Sequence, residues 1–134
     1  MPAPHLGRSI WSIVAAIIVV TILSLGTDEI FHLLGVYPPW GQPMWEAKLN
    51  ALALSYRLVY DTFGSYLTAR LAPYQPLRHV LWGAHIAFLL SLLGAAGAIA
   101  MKAGPVWYPV ALALSVYPTA WLGGRLYQMG QRTA

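Results

Sequence analysis

Tyr56-Arg57-Leu58-Val59-Tyr60-Asp61 sits at the centre of Ala47–Arg70, AKLNALALSYRLVYDTFGSYLTAR, and the reading of this stretch decides the fold. The segment is long enough to cross a bilayer as a helix, because 24 residues at 1.5 Å each span about 36 Å. It carries a cation and an anion near its middle. Charges at that depth cost roughly 2.5–3.5 kcal/mol each on insertion scales, so they need partners. Arg57 and Asp61 stand four residues apart, the spacing of an intrahelical ion pair, and are expected to pair with each other. Asn50, Arg57, Asp61, Gly64 and Thr68 fall within one arc at 100° per residue, which gives the helix a polar stripe.

The composition agrees with lipid as solvent. Hydrophobic residues make up 58% of the 134 residues and charged residues 9%, against about 25% charged in soluble domains. Mean hydropathy is +0.58. The net charge of +4 comes from cations placed singly near segment ends, with no basic run, so it points to orientation in a membrane and not to nucleic acid. The chain has no cysteine, which excludes disulfides, thiolate metal sites and cysteine nucleophiles.

Outward from the central stretch, three further helices are expected. The first covers about 9–27, where Ile10–Leu23 is unbroken by charge. A cleaved signal peptide is the rival reading, with Arg8 as its basic region and Ser24-Leu25-Gly26 as a cleavage site. The apolar run exceeds the usual length of such a signal, which favours a retained anchor. The third helix covers about 78–101 and the fourth about 105–127, with Pro118 inside it. Between the first two lies an expected surface loop, 28–45. Asp28–Leu34 is able to extend the first helix by two turns with Gly35 as its C-cap. Pro38, Pro39 and Pro43 exclude a helix beyond that point. Arg8, Arg70, Arg78, Arg125 and Arg132 fall on one side, and Lys48 and Lys102 on the other. The fold expected is therefore all-α: a polytopic bundle of four transmembrane helices, antiparallel between neighbours, in one domain with both termini cytoplasmic.

Counting rise per residue sorts the polar side chains by depth. Arg57 is expected level with Thr21, Ser91 and Ser115, and Asp61 level with His85 and Tyr117. The pair Arg57–Asp61 reads either as an ion or proton relay or as a buried structural pair that fixes helix register. His85 is a candidate pH-sensitive group, metal ligand or pigment ligand, against the commoner hydrogen-bonded packing role. Glu29-x-x-His32 has the spacing of a helical di-metal half-site, but only one copy is present, so a solvated helix end is the stronger reading and no metal site is assigned. Trp40, Trp45 and Trp107 suit anchors at the membrane interface. No glycine-rich phosphate loop, zinc-protease helix or nucleophile elbow is present, so no catalytic residue is assigned and enzyme activity has no positive support.

Two stretches carry a resemblance. They are Gly35-Val36-Tyr37-Pro38-Pro39-Trp40-Gly41-Gln42-Pro43-Met44, and Gly64-Ser65-Tyr66-Leu67-Thr68-Ala69-Arg70-Leu71-Ala72-Pro73 followed by Pro76 and His79. Together they resemble small, uncharacterised four-helix membrane proteins of bacteria. The resemblance implies a multi-pass protein of the bacterial inner membrane, and no activity or cofactor.

The function expected first is a non-catalytic accessory or structural subunit of a larger membrane assembly, its partners being the bilayer and other membrane chains or further copies of itself. The alternative is a small homo-oligomeric proton- or ion-coupled transporter or channel using Arg57, Asp61 and His85. A weaker alternative is lipid, quinone or pigment binding. The sequence requires no cofactor.

Overall fold

A computed structural model describes residues 5–133. Four helices account for most of them: α1 (Leu6–Leu33), α2 (Ala47–Leu71), α3 (Pro76–Ala100) and α4 (Trp107–Thr133). Among the described residues there is no strand. Two helices, α1 and α3, are long and apolar enough to cross a membrane. The other two match them in length but are less apolar: Arg57 and Asp61 interrupt α2, and α4 carries proline, tyrosine, glycine and hydroxyl side chains among its apolar ones.

Boundaries differ from expectation in places that matter. The first helix does not stop at residue 27. It runs two turns further, so Asp28, Glu29 and His32 are helical and the loop shrinks to 34–46. It ends where the sequence allowed an ending: Gly35 takes φ 76°, the Gly35 N–H bonds the His32 carbonyl and the Val36 N–H bonds the Phe31 carbonyl. Those two bonds form a Schellman cap, which a glycine in the left-handed region accommodates without steric cost. The third helix begins at Pro76, two residues early, because proline suits the first helical position. It closes with the same cap, but Lys102 occupies the left-handed position at φ 51°. The fourth helix begins at Trp107 and not at Pro105. It continues past the expected end at 127, to Thr133.

Contacts fix the arrangement. Arg57 meets both Asp28 near the end of α1 and Tyr108 at the start of α4. Ser9 meets His79, joining the starts of α1 and α3. Gly124 of α4 faces Val80 of α3. Helices α1 and α3 therefore run one way, α2 and α4 the other, and sequence neighbours are antiparallel. Around the bundle the order is α1, α2, α4, α3. Helix α2 packs against all three others, α1 touches α3 only lightly, and α1 does not pack on α4.

The interior is built from small residues. Ala69, Val80, Ala84, Val116 and Ala120 form its centre. At the α2–α4 crossing, a Cβ on Gly123 would stand 2.4 Å from the Thr62 carbonyl oxygen. The backbones approach closely because Gly123 has no side chain. Large apolar side chains point outward instead: Ile10, Trp11 and Ile22 on α1, Leu81, Leu89 and Leu93 on α3, Leu114 and Trp121 on α4. This distribution is the reverse of a water-soluble domain, where large apolar residues are the buried ones.

One end of the bundle is tied together by the loop before α2. The buried Asn50 side chain donates to the carbonyls of Met44 (3.0 Å) and Glu46 (2.9 Å). The Met44 N–H in turn bonds the Ala103 carbonyl at 2.8 Å, which fastens this loop to the α3–α4 turn.

Candidate functional site

The site begins with a change of partner. Arg57 does not pair with Asp61. Its guanidinium forms an ion pair with Asp28, which only the longer α1 brings into the bundle. The reason lies in helix geometry. Side chains on a helix lean toward its N-terminus, so Arg57 reaches toward the Asn50 end, away from Asp61 one turn further on. A cation preceding an anion at this spacing is also the weaker order for an intrahelical pair.

Asp28 is 7% exposed, and both of its carboxylate oxygens are engaged. Tyr56 donates its hydroxyl to Oδ1 and Arg57 donates to Oδ2. The Tyr56 oxygen then accepts from the Tyr37 hydroxyl at 2.8 Å. Arg57 also donates to the Tyr108 hydroxyl at 2.9 Å, and its guanidinium lies 5.4 Å from the centre of the Tyr56 ring. Burial pushes the Tyr37 phenol above its ordinary value. Beside this network Thr27 bonds the Tyr60 hydroxyl at 2.7 Å. The cluster joins α1, α2, α4 and the loop, and it pairs the Arg57 charge with that of Asp28.

Asp61 is left without that partner. Among the described residues Arg57–Asp28 is the sole ion pair, and Asp61 makes no hydrogen bond to another side chain or to backbone. Its carboxylate lines two contiguous cavities. One, of about 210 Å³, lies among all four helices and is walled mainly by apolar and small residues such as Ile17, Val20, Ala84 and Val116. The other, of about 240 Å³, continues from it toward Arg57. Val20, Thr21, Asp61 and Ser91 line both. Thr68 at the far end of the first and Arg57 at the far end of the second are eleven residues apart on α2, so the chamber extends about 16 Å along the bundle. Asp61 stands at its waist.

The chamber is closed at one end by the Arg57–Asp28 network. At the other end, α1 and α3 meet through a 2.8 Å hydrogen bond between Ser9 Oγ and His79 Nε2, and Ile13 faces Gly83. Between these ends, on the α1–α3 side, it is open. Leu25 and Leu90 line the cavities and are also about half exposed.

The remaining candidates are placed as follows. Ser91 lines the chamber, while the Ser115 hydroxyl turns back to the Leu112 carbonyl. His85 and Tyr117 do bond each other, at 2.8 Å, on the outer face of the bundle and outside the chamber that Asp61 lines. His79 is buried against Ser9. Glu29 accepts from Trp40 Nε1 at 2.8 Å. The His32 ring lies 3.9 Å from that indole, with Nδ1 held by the Pro38 carbonyl. Those contacts occupy the Glu-x-x-His pair, and among the described residues no group of three metal-ligating side chains exists. Trp45 and Trp107 are exposed.

Sequence reasoning missed Asp28, Tyr37, Tyr56 and Tyr108. A signal was present. Asp28 is five residues before the end of α1 and Arg57 ten after the start of α2. Those positions differ in height by about 7 Å, which an arginine leaning toward its helix N-terminus covers. Comparison with protein families, curated proteins and solved structures returned no match, so the function is argued from this geometry alone.

Proposed function

We propose that the chain is a four-span protein of the bacterial inner membrane, with both termini cytoplasmic, and that it acts as a small proton- or cation-coupled carrier, self-associated in the bilayer. The observation carrying this reading is Asp61, a carboxylate facing a chamber after the neighbouring arginine has been neutralised by Asp28. An ionised carboxylate in that position costs several kcal/mol unless it takes up a proton or a cation.

The membrane reading draws support from the inverted packing on α1, α3 and α4: alanine, glycine, serine and threonine inward, leucine, isoleucine and tryptophan outward. The charges of α2 that lie away from its ends, Arg57 and Asp61, face inward to the network and chamber, which explains its low hydropathy without removing it from the bilayer. Arg8, Arg70, Arg78, Arg125 and Arg132 gather at one end of the antiparallel bundle and Lys48 and Lys102 at the other, the asymmetry of cytoplasmic termini.

The test is proton movement in proteoliposomes, read with an entrapped pH-sensitive dye under an imposed potential. The native chain is expected to raise flux above empty vesicles, and Asp61→Asn to abolish the increase while running at the same size in detergent. Flux equal to that of empty vesicles, or flux unaffected by Asp61→Asn, refutes the carrier reading. A second reading, a non-catalytic subunit of a larger assembly, is favoured by the chamber's closure at both ends and by the exposed indoles of Trp40 and Trp45. It predicts stoichiometric foreign chains on purification in mild detergent.

A further inference from the structure

The chamber has a shape that an inorganic ion does not need. A proton or a sodium ion at Asp61 would be served by a narrow polar path from one end of the bundle. Here both ends are shut, by Arg57–Asp28 on one side and by Ser9–His79 with Ile13–Gly83 on the other. The opening is lateral. Helices α1 and α3 separate beyond Ile13 and Gly83, Thr21 is exposed, and Leu25 and Leu90 frame the mouth. Further along α3, a Cβ on Gly94 or Gly97 would meet nothing within 4 Å, so nothing from α1 fills that side. In the proposed orientation such a mouth faces lipid tails, and what enters through it must be soluble in them.

The lining specifies the rest. Most of the wall is apolar, from Ile13, Ile17 and Val20 on α1 to Val116 on α4. Against this wall stands one anion, Asp61, with the hydroxyls of Thr21 and Ser91 beside it. Thr21 donates to the Ile17 carbonyl, so its oxygen presents acceptor lone pairs. A ligand with a cationic donor at one end and an apolar body complements both parts: the ammonium meets Asp61 and the neighbouring hydroxyl oxygens, and the hydrocarbon lies along the α1 and α4 walls. Arg57 at the closed end disfavours a second cation, so the charge match is to a single one.

We infer that the Asp61 chamber, open between α1 and α3, binds a lipophilic monoammonium compound that enters from the bilayer. This rests on the reading of Asp61 as a cation-binding carboxylate and names the class of cation it serves. Binding loses no covalent bond and needs no co-reactant. The amine either arrives protonated or takes the carboxyl proton on entry.

The experiment uses the full chain in nanodiscs of phosphatidylcholine, with radiolabelled octylamine as the probe and empty nanodiscs subtracted. Saturable binding of one octylammonium per chain is expected, falling about tenfold or more with Asp61→Asn and restored by Asp61→Glu. Octanol, with the same tail and no charge, is expected to show no saturable uptake. Helicity by circular dichroism checks that each variant is folded. Unsaturable octylamine uptake, uptake unaffected by Asp61→Asn, or equal saturable uptake of octanol overturns the inference. If octylamine fails while proton flux still depends on Asp61, the ligand class falls and the carrier reading stands. If both fail, the carboxylate has no cation-binding role. Asp61-dependent octylammonium binding without proton flux supports the ligand class and removes proton transport.

Discussion

Gly123→Ala adds one methyl group where the backbones of α2 and α4 approach closely. That methyl carbon would lie 2.4 Å from the Thr62 carbonyl oxygen, 2.6 Å from Ser65 Cβ and 2.8 Å from the Tyr66 nitrogen. Ordinary contacts begin near 3.4 Å, so α4 must move away from α2 by about 1 Å. Two of the three obstacles are backbone atoms of α2 and cannot rotate aside. Overpacking of this kind costs about 1–3 kcal/mol, and the rigid obstacles place it at the upper end. Alanine regains about 1 kcal/mol of helix propensity relative to glycine. The net expectation is a loss of about 2 kcal/mol, roughly thirtyfold in the folding equilibrium. Gly94→Ala supplies the control, because a Cβ there meets nothing within 4 Å. It should gain propensity without a clash and stabilise by up to about 1 kcal/mol. Denaturation in mild detergent, followed by circular dichroism, compares the two. If Gly123→Ala is as stable as Gly94→Ala, the α2–α4 approach is not what the geometry says, and the account of the bundle's packing fails.

Removing the Asp28 carboxylate strands Arg57 among tyrosines: Asp28→Ala is expected to cost about 3–5 kcal/mol, and adding Arg57→Leu should recover much of it, measured as a double-mutant cycle in detergent. Asp61→Asn removes a charge that has no partner among the described residues, so it should leave thermal stability unchanged or raise it, opposite in sign to Asp28→Ala. Lys102→Gly relieves a left-handed backbone at the α3 cap and should raise stability by about 1 kcal/mol, visible as a higher melting temperature.

Much of the architecture was legible in local sequence. Hydropathy and helix length located all four helices, missing the ends of α1 and α4 by six residues each, and prolines at 38, 39, 43 and 76 marked the connections. Gly35 marked the end of α1 because a left-handed cap is a local property of the chain. Small residues four apart on α4, Ala111, Ser115, Thr119 and Gly123, are a local signal of close packing, and the last two are buried, with Gly123 at the α2–α4 crossing. For α1 the sequence left two endings open, before Asp28 and at Gly35, and the structure takes the second. Asp28 and Glu29 look like a helix end in isolation, yet helix continues through them because nothing stops it before Gly35.

What the sequence determined by itself was the set of helices, their antiparallel order and the need to neutralise buried charge. Which charges neutralise one another was decided only by tertiary structure. Arg57 has one carboxylate a turn away on its own helix and another on α1, twenty-nine residues earlier in the chain, and the lean of its side chain selects the distant one. Spacing along one helix reports which residues share a face. It does not report which neighbouring helix delivers a partner to the side chain's far end, a contact at the tip of the guanidinium that only packing fixes. That choice leaves Asp61 facing the chamber, and with it the property from which a function has been proposed.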